Sequence, residues 1–214
     1  MTEAEYVLPL VVRIEKAAPP SRTDALEAAA TAVLTMLVSE NPEWQQAIAA
    51  WEDAHIRKVV RRARGAAWAR AIELDGLQVA LGSAEIAVFP PIPVDAWPPE
   101  LAKLQVGGTE LEDVDSVRPP TPGQPLILLS PHVEMTTGKA MAQVGHAAQL
   151  GWWQLSTVQR ERWAEADFPL AVRDATAEQW AAGIAAGAPV VTDGGFTEVE
   201  PGSRTALILL GGAA

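Results

Sequence analysis

Three polar side chains recur along one stretch of this chain: Lys139, Gln143 and His146, followed by Leu150. At spacings of four, three and four they fall on one face of a helix. Thr136 or Thr137 can cap that helix, which places Lys139 in its first turn, where a cation opposes the helix dipole. A lysine there is poorly placed for stability and well placed to meet an anion or a developing negative charge. Asp193 stands before Gly194 and Gly195, and Thr197 and Thr205 follow it. A carboxylate close to an ammonium can orient or deprotonate water, and hydroxyls can hydrogen-bond a substrate or that water. Each residue also has a plainer use. Asp-Gly is a common hairpin signal, threonines suit strands, and Lys139, Gln143 and His146 suit a solvated helix face.

Positioning these groups falls to a few elements. The unbroken apolar run 126–129 reads as a strand buried on both faces. A helix from Gly138 follows it, so Lys139 sits just beyond a parallel-type strand. A second helix is expected near 156–166 and a strand at 170–173. The Thr-Ala-Glu-Gln start at Thr176 has capping-box form. Strands at 189–192 and 205–210 flank the Asp193 turn. Earlier in the chain come a strand at 7–14, a proline-bearing loop, helices at 24–38 and 42–51, and a strand at 56–62. A helix at 66–74 and strands at 77–81 and 85–88 complete that half. The stretch 90–124 is rich in Pro, Gly and acid and reads as a linker, with one ordered piece at 101–106.

The sequence G-K-x-x-A-Q-x-x-H-A from Gly138 to Ala147, after a short apolar strand, resembles the signature of the type 2 peptidyl-tRNA hydrolases. The likeness continues at Asp193-Gly194-Gly195-Phe196-Thr197 and at Pro201-Gly202-Ser203-Arg204-Thr205, where that family carries D-A-G-x-T and P-G-S-x-T. It spans roughly residues 125–210. The resemblance implies cleavage of the ester between a peptide and the 3′ end of tRNA by direct water attack, without metal or cofactor. Lys139, Asp193, Thr197 and Thr205 would carry it, with Gly138, Gln143 and His146 in support. There are departures: His132 stands where the family commonly has aspartate, and Glu198 where it often has glutamine. The basic residue that opens the family's second strand is replaced by Pro169 in this half; Lys58 keeps it in the other.

Composition sets bounds on these expectations. There is no cysteine, which excludes disulfides and thiol catalysis. No charge-free apolar stretch is long enough for a membrane span, and the acidic N-terminus lacks the basic region of a secretory signal, so the cytoplasm is the expected compartment. His55, His132 and His146 lack metal-ligand spacing. No P-loop, G-x-G-x-x-G or G-x-S-x-G occurs. The formal charge of −11 opposes a phosphate backbone. Basic residues cluster, however, at Arg57, Lys58, Arg61, Arg62, Arg64 and Arg70, a candidate RNA-binding patch. A catalytically inactive RNA- or protein-binding module that keeps the fold is the competing expectation.

The two halves also align with each other at an offset of 112. Trp51 meets Trp163, Val60 meets Val172, Trp68 meets Trp180, Ile72 meets Ile184 and Gly82 meets Gly194. Such self-similarity indicates a duplication. The expected architecture is α/β, with two tandem copies of a three-layer α/β/α unit, each on a mixed, roughly four-stranded sheet. The copies would span 1–94 and 125–214 around a linker at 95–124, forming a single-chain pseudo-dimer or, as a whole chain, a homodimer. At the same offset Lys139 meets Glu27, Gln143 meets Thr31, His146 meets Leu34 and Asp193 meets Leu81, so the first copy lacks the chemistry.

Overall fold

A computed structural model describes residues 5–195 and 197–211, so Phe196 of the second motif lies outside the described residues. The chain runs β1 (Tyr6–Arg13), α1 (Arg22–Leu37), α2 (Pro42–Glu52), β2 (Lys58–Ala63), α3 (Gly65–Ala71), β3 (Leu77–Leu81), β4 (Ala84–Val88), β5 (Ile92–Pro93) and α4 (Pro99–Ala102). It continues with β6 (Leu126–Leu129), α5 (Thr137–Gln154), α6 (Thr157–Glu165), β7 (Ala171–Asp174), α7 (Ala177–Ala185), β8 (Val190–Thr192) and β9 (Arg204–Leu209). The first sheet has the order β2-β1-β4-β3, with β5 added to β1, and the second has the order β7-β6-β9-β8. The two orders are the same once elements are matched in sequence. In each sheet one parallel pair, β1·β2 or β6·β7, adjoins antiparallel pairs. Helices cover both faces, as apolar strands such as Leu126–Leu129 require.

Local details repeat as well. The Trp51 indole donates to the Arg57 carbonyl at 2.8 Å, and the Trp163 indole to the Pro169 carbonyl at 3.1 Å. Ile56 and Phe168, at matched positions, both adopt left-handed backbone, with φ of 40° and 53°. A β-branched residue rarely accepts that conformation, so its recurrence points to one unit folded twice.

The offset of 112 is not constant. Leu10 pairs with Val60 and Ile127 with Val172, so β1 and β6 match at 117. The N-caps of α1 and α5, Ser21 and Thr136, stand 115 apart. Lys139 therefore corresponds to Asp24, Gln143 to Ala28 and His146 to Thr31, correcting the pairing that a fixed offset gives. Ile86 faces Val79 and Ala206 faces Val191, so β4 and β9 match at 120. The additional residues lie between β8 and β9. Turn 82–83 in the first copy becomes the segment 193–203 in the second, and that segment carries Asp193 and Thr197.

The outer faces of the sheets hold separate small cores. Trp68, Phe89 and Leu101 pack under α3 and α4, and Trp180 and Leu207 under α7. The inner faces share one continuous core containing residues of both halves. Its middle is α1 packed on α5, two Ala-rich helices that approach closely because little side chain separates them. A Cβ at Gly145 would lie 2.8 Å from Val33 Cγ2 and 3.2 Å from Lys58 Cδ. The contacts are reciprocal, since α5 reaches β2 and α1 reaches β7.

The acidic stretch expected as a spacer is held against the protein. Arg61 donates to the Ala102 and Leu104 carbonyls, and Arg62 to the Gly107 carbonyl and the Gln105 side chain. The Asp113 carboxylate accepts from the Thr23 N–H and hydroxyl at the start of α1. At the start of α5, Thr109 Oγ1 accepts from Gly138 N–H at 3.0 Å and the Leu111 N–H donates to Thr137 Oγ1. One strap thus satisfies orphan groups at the N-termini of both central helices. A Cβ at Gly138 would lie 2.6 Å from Thr109 Oγ1, which gives the glycine of the G-K pair a packing reason.

Candidate functional site

Lys139 enters the first turn of α5 behind the cap Thr136, whose hydroxyl accepts from the Lys139 N–H at 3.2 Å. Its side chain reaches over the end of β8. There Nζ donates to Asp193 Oδ2 at 2.7 Å and to Thr197 Oγ1 at 2.9 Å. The anion that this lysine meets is a carboxylate of the protein. The helix N-terminus is itself occupied, because its first N–H groups go to Thr109 and Thr136.

Asp193 is held from three sides. Besides Lys139, Gln143 Nε2 donates to Oδ2 at 2.9 Å and the Gly195 N–H to Oδ1 at 2.8 Å. Burial alone would raise its carboxyl, but the bonds from Lys139, Gly195 and Gln143, with the lysine charge, hold it below the ordinary value. The ion pair is mostly shielded, with side-chain exposures of 10% and 9%. Gln143 is clamped in turn, since its Oε1 accepts from Thr205 Oγ1 at 2.5 Å. Thr205, on β9, is fully buried, so its hydroxyl holds Gln143 and offers nothing directly to a ligand. Thr197 is exposed at the mouth.

Glu198, a departure from the resembled motif, ties the 193–203 segment to α5. Its carboxylate accepts from the Thr136 N–H at 3.0 Å and the Thr136 hydroxyl at 2.7 Å. An anion at a helix N-terminus is favourable, so the substitution steadies the loop that presents Asp193. His132 is exposed in the turn before α5.

Lys139, Gln143, Asp193 and Thr197 line a cleft of about 450 Å³. Its opposite wall comes from the other half of the chain: Ile56, Arg57, Lys58, Val59 and Val60 at the start of β2. Sequence reasoning missed this shared construction, because nothing in a linear motif says which copy supplies the far wall. Lys58 is nearly buried, with Nζ 2.7 Å from Gln149 Oε1 and 3.2 Å from His146 Nδ1. Burial pulls its ammonium well below the ordinary lysine range, against an opposing pull from Glu52. Burial likewise depresses His146, helped by the charges of Lys58 and Lys139, so the imidazole is neutral. Strand register puts Leu170 rather than Pro169 at the position matching Lys58.

The expected RNA-binding patch is divided among several tasks. Arg57 and Lys58 reach the cleft, where Arg57 pairs with Glu5 at 3.3 Å. Arg61 and Arg62 hold the strap, and Arg61 also stacks 4.3 Å over Trp97. Arg64 and Arg70 are exposed on α3 or beside it.

A counterpart cleft of about 980 Å³ lies at the start of α1, lined by Asp24, turn 82–83 and Arg173. There Asp24, in the place of Lys139, accepts from the Ser83 N–H and hydroxyl at 2.6 Å. The strap residues Glu112, Asp113 and Arg118 line it too. The first copy thus keeps the hollow and loses the ion pair. Among the described residues no group of three or more His, Asp or Glu could hold a metal ion, and no helix is long and apolar enough to cross a membrane. The chain matches no protein-family model and no curated protein.

Proposed function

We propose that this chain is a peptidyl-tRNA hydrolase-like esterase, built as a single-chain pseudo-dimer, with its working site in the C-terminal half. The observation that carries this reading is the Lys139–Asp193 pair at 2.7 Å, opening with Thr197 onto a cleft. An ester carbonyl placed there would be attacked by water hydrogen-bonded to Asp193. A carboxylate held below its usual value is a weak base at neutral pH, so Asp193 serves chiefly to orient that water. The Lys139 ammonium and the Thr197 hydroxyl would donate to the developing oxyanion. The bond from the carbonyl carbon to the tRNA 3′ oxygen would then break, and that oxygen would leave as the 3′-hydroxyl with the proton the attacking water gives up. Gln143, braced by Thr205, keeps Asp193 aimed at the cleft.

A second reading has its own support. Arg61 and Arg62 spend their guanidinium groups on the strap, and the chain carries a formal charge of −11. Both favour a binding module with the same fold and no turnover. Release of labelled peptide from peptidyl-tRNA decides between them. The esterase reading predicts wild-type turnover that Lys139→Ala abolishes; no turnover by either protein sinks it.

A further inference from the structure

Lys58 belongs to the half without the ion pair, yet its side chain crosses into the other half and ends on α5. Its Nζ has three neighbours in hydrogen-bonding range: Gln149 Oε1 at 2.7 Å, His146 Nδ1 at 3.2 Å and the Ile56 carbonyl at 3.2 Å. It also lies 4.6 Å over the Trp51 ring, the placement of a cation on an aromatic face. The orientation of the Gln149 amide follows from its other end. Its Nε2 donates to Glu52 at 3.4 Å, and Glu52 also accepts from the Trp153 indole at 2.9 Å. The amide oxygen is thus left for Lys58. An ammonium has three N–H donors and no acceptor, so a charged Lys58 uses one on each neighbour and requires a lone pair at His146 Nδ1.

We propose that Lys58 is a positioning residue supplied by the N-terminal half, which holds His146 with its ring proton on Nε2. His146 then offers a neutral N–H donor to the group bound beside Lys139. This rests on the esterase reading only for what is bound. His146 lines the same cleft as Lys139 and Asp193, two turns along one helix face from Lys139, and its Nε2 makes no hydrogen bond among the described residues. The matched strand position in the C-terminal half is Leu170, which cannot set a tautomer. The site in one half is therefore incomplete without the other, a reason for both copies to persist in one chain. The charged groups around the ring are Lys58 from β2, Lys139 from α5 and, through Gln149, Glu52 from α2. Burial, with the charges of Lys58 and of Lys139 (itself paired with Asp193), keeps the imidazole neutral.

Two-bond ¹H–¹⁵N spectra of the histidine rings in the full chain read the tautomer directly, with His146 assigned by loss of its signals in His146→Gln. The wild type should show a neutral ring protonated on Nε2 across neutral pH, and Lys58→Met should move the proton at least partly to Nδ1 or let the ring titrate. A wild-type ring protonated on Nδ1, as a neutral Lys58 amine would favour, overturns the proposal, and that measurement needs no variant to fold. So does an unchanged tautomer in folded Lys58→Met. In the ester assay Lys58→Met should lower kcat by about 100-fold, the scale of losing an oriented donor, with KM little changed. A loss confined to KM overturns the positioning role. Absence of wild-type turnover would sink the esterase reading while the spectra still decide the tautomer.

Discussion

Gln143 is the joint between the buried strand and the ion pair, and removing it has a cost that can be worked from its two bonds. Gln143→Leu keeps similar bulk but strands the Thr205 hydroxyl, which is fully buried. An unsatisfied buried hydroxyl costs about 1–3 kcal/mol. Asp193 also loses the donor at 2.9 Å while keeping Lys139 and Gly195. At a cleft mouth that loss adds about 1 kcal/mol, below the range for fully buried charged bonds. The expected destabilisation is about 2–4 kcal/mol. Thr205→Val strands only the Gln143 oxygen, at about 1–3 kcal/mol. The double variant strands neither group of the buried bond and loses only the bond to Asp193. Its destabilisation should fall short of the sum of the singles by about 2 kcal/mol or more. Urea unfolding of the four proteins measures this coupling. Additivity within about 0.5 kcal/mol would refute the claim that the two side chains form one buried bond.

Gly145→Ala should cost about 1–3 kcal/mol by overpacking, because its methyl would meet Val33 at 2.8 Å; thermal unfolding checks it, and an unchanged midpoint contradicts the close helix contact. Trp51→Phe and Trp163→Phe each remove an indole bond to a carbonyl six residues on, so the two should lose similar stability, about 1–2 kcal/mol each, by the same measurement. His146 has a folded value depressed by burial and by two lysines. The unfolded chain therefore takes up this proton first as pH falls. The stability it secures is complete above about pH 6.5 and declines below it, by up to about 1.4 kcal/mol per pH unit. Unfolding free energies between pH 7 and 5 should slope less in His146→Gln than in the wild type.

Much of the fold was legible because its signals are local. Apolar runs gave the strands, and the Thr176/Gln179 capping box fixed one helix start. Matched tryptophans revealed the repeat, and one matched pair, Trp51 and Trp163, makes the same indole bond in each copy. The pairing of α1 with α5 was illegible at a fixed offset, since the copies differ in loop lengths before β2 and again between β8 and β9. Lys139, Gln143, Asp193 and Thr197 could be read as a set from motif spacing. Thr205 could be read as near the site, but strand alternation alone did not say that it faces the core. Lys58 carried a signal, a basic residue opening a strand in the half that lacks the pair. Its place in the cleft depends on how α5 packs against β2, which only the assembled core decides. The basic cluster could be read as charge but not as partners, and two of its members, Arg61 and Arg62, donate to strap carbonyls.

The central claim is that the Lys139 ammonium and the Asp193 carboxylate act together on one ester. Single-turnover release of peptide from peptidyl-tRNA by Lys139→Met, Asp193→Asn and the double variant tests it most directly. Each single change should slow release about 100-fold or more, and the double variant should be nearly as slow as the slower single, as groups acting as a unit behave. Release at the wild-type rate by either single variant, or losses that multiply in the double variant, would contradict the account.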